Sequence, residues 1–258
     1  MAEAPLVTFL IAGVQKGGTT ALYDYLADYP DVALSRVKEV HFFDDETRDW
    51  ARPDYDDYHA GFDAPGGRPC GEATPIYLYW PQALERICAY NPAMRLVVAL
   101  RDPVERAWSH WRMEYARGWE TEPFAWCVRA GRARVDSPEA PGFHRVFSYV
   151  ERGFYAAQLE QLFAIFSPEQ VLLLRSEDLD RQPNHTLGRI CRFLGVAAPA
   201  TPVVPRRELV AKDIDYGATI TQADRAYLRD IFADDLRRFA VLSGLSVDHW
   251  LAPAKTLV

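Results

Sequence analysis

Three groups of residues in this chain have types and spacings suited to chemistry. The first is Gly13-x-x-Lys16-Gly17-Gly18-Thr19-Thr20, a glycine loop with one lysine inside it and two hydroxyls at its end. Glycine lets a backbone turn sharply and approach a ligand closely. A helix that starts after such a loop offers unpaired N–H groups and a positive dipole end, where phosphate or sulfate oxygens bind. The second group is Lys38-Glu39-Val40-His41-Phe42-Phe43-Asp44. Glu39 and His41 are two positions apart, so on an extended segment they point the same way and are candidates for proton transfer. The third is Arg101, at the end of an apolar run, with Ser109 about two turns into the following helical stretch. A guanidinium forks onto two oxygens of a phosphate and a hydroxyl donates to a third. The other readings of this segment are an Arg101–Asp102 surface pair, or Asp102 as a magnesium ligand at a strand end.

The first loop invites comparison with the nucleotide P-loop, G-x-x-x-x-G-K-[ST]. Gly13 and Gly18 have that spacing and Thr20 takes the hydroxyl position, but Thr19 stands where the lysine belongs and Lys16 lies inside the loop. A kinase needs its lysine on the β- and γ-phosphates, and moving it changes which atoms it touches.

The elements that position these groups alternate between strand and helix. Leu6–Ala12 is a continuous apolar run, as a buried parallel strand should be. Leu22, Tyr25, Leu26 and Tyr29 then recur at helical spacing. Val32–Leu34 is a short strand. Residues 44–69 read as a loop with helical pieces, one of them around Tyr55–Ala60. In Gly71-Glu72-Ala73-Thr74-Pro75, the proline argues for a strand end that leads polar groups toward the site. Pro81–Tyr90 reads as a helix, Arg95–Leu100 as the second informative strand, and Pro103 suits the first turn of the helix after it. Residues 116–148 lack periodicity and read either as a lid over an acceptor or as a surface excursion with core aromatics. A helix opens at Tyr155, Gln170–Leu174 is the third buried strand, and Pro183–Leu194 is a helix stopped by Gly195. Arg206, Arg207 and Lys212 form a basic patch suited to a second clamp on an anion, or to a solvated surface. Thr221–Leu242 reads as a long helix capped by Thr221.

Length and composition bound the answer. The chain has 258 residues, 49% of them hydrophobic and 25% charged, which suits one α/β domain spanning 1–258. The net charge of −7 argues against a nucleic-acid binder and a polybasic membrane-surface protein. Cys70, Cys88, Cys127 and Cys191 show no metal-ligand spacing, and free thiols in a reducing, cytoplasmic setting are expected. The apolar run before Gly13 is too short for a membrane span and is explained by the first strand. The oligomeric state is not legible.

GVQKGGTT, KEVHFFD, GEATPIY, LRDPVERAWSHW and RGFYAAQLEQLF occur in order. Together they resemble segments of the sulfotransferase superfamily that uses 3′-phosphoadenosine 5′-phosphosulfate. The likeness is to the heparan sulfate glucosaminyl 3-O-sulfotransferase type and its small bacterial relatives, over residues 6–195. The resemblance implies a P-loop-like α/β fold with a central parallel sheet flanked by helices, and no metal in the chemical step. It implies a 5′-phosphosulfate loop at Lys16, Gly17, Gly18, Thr19 and Thr20, 3′-phosphate contacts at Arg101 and Ser109, and Glu39 as general base. Two departures stand out. Ala73 replaces a lysine that this group carries before its Thr-Pro, and its late cofactor loop is not evident, so Arg206, Arg207 or Lys212 would substitute.

The chemistry so implied is in-line transfer of a sulfuryl group to a hydroxyl of a small-molecule or carbohydrate acceptor. Lys16 would meet the charge on the leaving oxygen, and Glu39 or, in reserve, His41 would take the proton. The rivals are a P-loop small-molecule kinase, which predicts dependence on Mg²⁺ and ATP, and a nucleotide-binding module without catalysis.

Overall fold

The structure is a computed structural model that describes residues 6–136, 141–199, 203, 216 and 219–252. Its chain runs β1 (Phe9–Gly13), α1 (Thr19–Ala27), β2 (Ala33–Leu34), α2 (Tyr55–His59), β3 (Cys70–Ala73), α3 (Ala83–Tyr90) and β4 (Arg95–Leu100). It continues with α4 (Pro103–Ala116), α5 (Phe124–Cys127), α6 (Tyr155–Ile165), β5 (Val171–Arg175), α7 (Ser176–Arg181), α8 (Pro183–Leu194), α9 (Gln222–Ser243) and α10 (Asp248–Leu251). Two compact units result, Met1–Arg101 with Leu162–Val210 and Asp102–Gln161 with Ala211–Val258.

The first unit holds a five-stranded sheet in the order β2-β3-β1-β4-β5, and every pairing is parallel. β1 lies at its centre and is buried along its whole length, the reason for its unbroken apolar run. Its register sets Ile11 opposite Ala73 on one side and Val97 on the other. Phe9, Ile11 and Val97 from the strands pack with Leu22 and Leu26 of α1 and Leu187, Ile190 and Leu194 of α8. The apolar stripe of α1 is buried at Leu22, Tyr25 and Leu26, while Tyr29 is half-buried. α8 ends at Gly195, whose φ of 79° is one that residues with a side chain adopt reluctantly. Because the strands are parallel, the segments that leave the C-terminal ends of β3, β1 and β4 emerge on one edge. The chain goes to one side of β1 first and to the other side afterwards, so that edge is a topological switch point.

In the second unit, α9 begins with a reciprocal cap. Thr221 Oγ1 donates to Asp224 Oδ2 at 2.6 Å and accepts from the Asp224 N–H at 3.1 Å. Leu228, Phe232, Leu236 and Phe239 are its buried stripe, and Ile231 is only half-buried. Gly153 has no room for a side chain, since a Cβ there would stand 2.6 Å from the Phe232 ring. The segment after α4 folds around buried Glu120. Its carboxylate accepts from Arg134 Nη2 at 2.6 Å, Tyr149 O–H at 2.9 Å and Cys127 Sγ at 3.2 Å. Burial opposes the charge, but the Arg134 guanidinium and these donors outweigh it and hold Glu120 down at about 2. Trp119 beside it is exposed. All four cysteines are free. Among the described residues no helix is long and apolar enough to cross a membrane.

Candidate functional site

The glycine loop folds back across the end of β4. The Val14 N–H donates to Ala99 O at 2.8 Å, and the Gly17 N–H donates to Val14 O at 2.8 Å. Gly17 thereby lies so close to β4 that a Cβ on it would stand 2.2 Å from Ala99 O. Only glycine fits, and the reason is contact as much as conformation. Gly18 caps α1 with a φ of 89° and offers no side chain to the first N–H groups of the helix, which therefore stay available to an anion. Lys16 occupies the left-handed region at φ 68°. Thr19, at the position of the P-loop lysine, is buried, and Thr20 is exposed. Arg101, at the end of β4, turns back to the loop and donates from Nη1 to Lys16 O at 3.4 Å. The first loop and Arg101 thus converge.

The second loop is dense with charge. Lys38 Nζ lies 2.5 Å from Glu39 Oε1. His41 stands between two carboxylates, with Nδ1 2.9 Å from Asp44 Oδ2 and Nε2 3.6 Å from Glu39 Oε2. Asp44 is fully buried, whereas Glu39 and His41 are partly open to solvent. Burial pushes Glu39 up, but the hydrogen bond from His41 and the charge of Lys38 prevail and hold its carboxyl at about 2. Asp44 first, then Glu39, raise the His41 imidazole to about 9 against the effect of burial. At neutral pH, His41 is therefore an imidazolium with both nitrogens protonated and no lone pair to accept a proton. Glu39 is ionised and has that capacity.

This loop is held from β3. The Glu39 N–H donates to Ala73 O at 2.9 Å, and the His41 N–H donates to Thr74 Oγ1 at 3.4 Å. The Phe42 N–H donates to the Tyr77 hydroxyl at 3.0 Å. Behind both hydroxyls sits Glu72, fully buried. Burial raises its carboxyl to about 7, although hydrogen bonds from Thr74 and Tyr77 pull the other way. Sequence reasoning gives Asp44, Glu72, Thr74 and Tyr77 no role of their own, although it takes the Gly71–Pro75 segment as leading polar groups toward the site. The spacing of Asp44 three residues after His41 is a usable signal. Glu72 has none beyond its place at a strand end.

Ser109 is half-buried on α4, in the second unit. Asp102 caps α4, accepting from the Val104 N–H at 2.8 Å and the Glu105 N–H at 3.4 Å, so its carboxylate is engaged by the helix start. Arg206, Arg207 and Lys212 lie outside the described residues.

Known proteins share both sequence and architecture with this chain. Human heparan sulfate glucosamine 3-O-sulfotransferase 3B1 is 33% identical over 192 residues, covering 72% of this chain and 45% of that protein. Mouse heparan sulfate glucosamine 3-O-sulfotransferase 6 is 33% identical over 200 residues, covering 74% and 53%. The chain thus spans about half the length of the curated relatives it matches. A crystal structure of a sulfotransferase from Alicyclobacillus acidocaldarius superimposes with a TM-score of 0.76 at 27% identity, covering 98% of this chain and all of that one. The sulfotransferase domain family matches residues 7–212. With four-fifths of its length inside that match, and with a parallel sheet that carries a glycine loop at its switch point, the chain belongs to the sulfotransferase family.

Proposed function

We propose that this protein transfers a sulfuryl group from 3′-phosphoadenosine 5′-phosphosulfate to a hydroxyl of a small-molecule or carbohydrate acceptor, by in-line displacement. The observation that carries this reading is an ionised Glu39 held beside an imidazolium, on the same sheet edge as the Lys16 loop. Gly17 lets the loop pack against β4, and the α1 N-terminus that follows, with no side-chain cap at Gly18, suits a tetrahedral anion. When bound there, the donor supplies the sulfuryl group and a leaving phosphate oxygen.

The protein's own residues do the rest. The Gly18, Thr19 and Thr20 N–H groups and Lys16 hold the 5′ end and meet the charge that grows on the leaving oxygen. Arg101 takes the 3′-phosphate. The same role for Ser109, and any role for Arg206, Arg207 and Lys212, rests on the family resemblance and the basic composition alone. Glu39 accepts the proton of the acceptor hydroxyl at its carboxylate oxygen. Lys38 and His41 keep that carboxylate ionised, and Asp44 fixes the His41 ring.

Glu39 is a weak base by this account. Its effect depends on position, because the hydroxyl proton becomes acidic only as the new bond to sulfur forms. The acceptor is uncharged or small. Residues 45–63, directly after the base loop, carry seven carboxylates against two arginines, a surface that repels a long polyanion. A cytoplasmic setting suits the four free thiols.

Calorimetry with adenosine 3′,5′-bisphosphate in the absence of metal, set against ADP and against ATP with Mg²⁺, tests the reading. Metal-free binding of the bisphosphate that is lost in Arg101→Ala supports it. Preference for Mg²⁺–ATP returns the assignment to a kinase. Binding without turnover on a panel of hydroxyl acceptors points to a non-catalytic module.

A further inference from the structure

The loop that carries Glu39 and His41 has two residues in the left-handed backbone region, Glu39 at φ 63° and His41 at φ 56°. Neither is a glycine, so this shape is costly and must be imposed from outside the loop. Ala73 O holds the Glu39 N–H, and two hydroxyls hold the residues that follow. Thr74 Oγ1 accepts the His41 N–H at 3.4 Å, and the Tyr77 hydroxyl accepts the Phe42 N–H at 3.0 Å and the Phe43 N–H at 3.5 Å. A hydroxyl that accepts in this way must donate its own proton elsewhere, and both donate to one group. Thr74 Oγ1 reaches Glu72 Oε2 at 2.6 Å, and the Tyr77 hydroxyl reaches Glu72 Oε1 at 2.8 Å. A third donor, the Tyr58 hydroxyl, lies 3.3 Å from Oε1. Glu72, Thr74 and Tyr77 are fully buried and Tyr58 nearly so, and water does not compete.

We infer that Glu72 is a positioning residue for sulfuryl transfer, acting through Thr74 and Tyr77 to hold the backbone of His41 and Phe42 and so to aim Glu39. The inference rests on Glu39 being the base. Glu72 itself touches neither Glu39 nor His41. It fixes the direction of two donors, and each fixed hydroxyl presents a lone pair to a loop N–H. A polarised hydroxyl is also a better acceptor than a free one. Replacing the carboxylate by an amide leaves one accepting oxygen and puts an N–H₂ where the other stood. One of the two hydroxyls must then turn, and its grip on the loop is lost.

The readout is the carbon-bound proton resonance of the His41 ring, followed by NMR against pH, because that ring reports the placement of both Glu39 and Asp44. In the unaltered protein its midpoint is expected near 9. Glu72→Gln and Thr74→Val are expected to lower the midpoint by about one pH unit or more, as the carboxylates move off the ring. Thr74→Ser keeps the hydroxyl and is expected to restore it. In Glu72→Gln, turnover falls by about tenfold or more while affinity for adenosine 3′,5′-bisphosphate is retained. An unchanged His41 titration in Glu72→Gln overturns the inference. Should that variant not fold, equal titrations in Thr74→Val and Thr74→Ser overturn it instead. Failure of the underlying reading is seen separately, as undiminished turnover in Glu39→Gln.

Discussion

The glycine loop and the Glu39 loop leave the same sheet edge and reach a similar end by different physics. The first is built from backbone: a strand end, a tight turn against Ala99 O and a helix start with no side-chain cap. Its residues are adjacent in sequence, and Ala99 O of β4 is the distant contact that shapes it. The second depends on local charges and on groups that the sequence keeps far from them. Lys38, His41 and Asp44 set its charge, and Ala73, Thr74 and Tyr77, more than 30 positions later, set its backbone. A backbone cradle binds whatever anion fits it. A carboxylate placed by a buried network is set for one direction of attack. On the proposed function the comparison separates binding from chemistry, and each loop can be broken alone.

Glu39→Gln is the sharpest break. Turnover should fall by roughly 10²–10⁴, the usual worth of a general base. Affinity for adenosine 3′,5′-bisphosphate, measured calorimetrically, should hold within about twofold, because Glu39 takes no part in the cradle. A parallel loss of both quantities would show that the two loops act as one. Gly17→Ala is the converse. Its Cβ would stand 2.2 Å from Ala99 O, so the loop must move off β4. Bisphosphate affinity should drop by about tenfold or more, with a stability loss of about 1–3 kcal/mol read from denaturant midpoints.

A subtler separation comes from pH. His41 is protonated below about 9, above its ordinary 6.5. Turnover should accordingly decline as pH rises through about 9, while bisphosphate binding stays level across that limb. In His41→Asn the limb should vanish. The sign of the stability effect is the same: the ion pairs around His41 contribute fully below 6.5 and are lost as pH rises through about 9.

The smallest effect expected is on stability near neutrality. Glu72 titrates at about 7 in the folded chain against 4.5 otherwise, so the folded state binds the extra proton between those values. Stability should fall as pH rises from 4.5 through about 7, and Glu72→Gln should flatten that slope in thermal melts.

Much of this was legible in the sequence. Gly195 predicts the end of α8 and Thr221 the start of α9, since caps depend on one or two neighbours. Arg95–Leu100 is the fourth strand to the residue, a continuous apolar run between turn signals. The sequence offers Lys16, Gly17, Gly18, Thr19 and Thr20 as a loop suited to an anion and Glu39 and His41 as candidates for proton transfer; the structure brings Arg101 to the first and sets Glu39 beside His41. Less legible was the polar file on α4, where Arg106, His110 and Glu114 are buried among the expected apolar positions. Helical spacing marks a buried face by its apolar members and is silent on polar ones that are paired within it.

What the sequence by itself determined was the strand–loop–helix order, the glycine spacing of the loop and the residue types able to bind an anion and accept a proton. These follow from local steric rules and from periodicity, which act over a few residues. Only the tertiary structure decided which of Glu39 and His41 keeps a lone pair able to take a proton at neutral pH, and what holds them. That choice depends on a buried Asp44 on one side of the imidazole, a carboxylate on the other, and hydroxyls delivered by a neighbouring parallel strand. Charge, burial and hydrogen bonding act through space, and apart from Asp44 three residues after His41 no spacing along the chain encodes them.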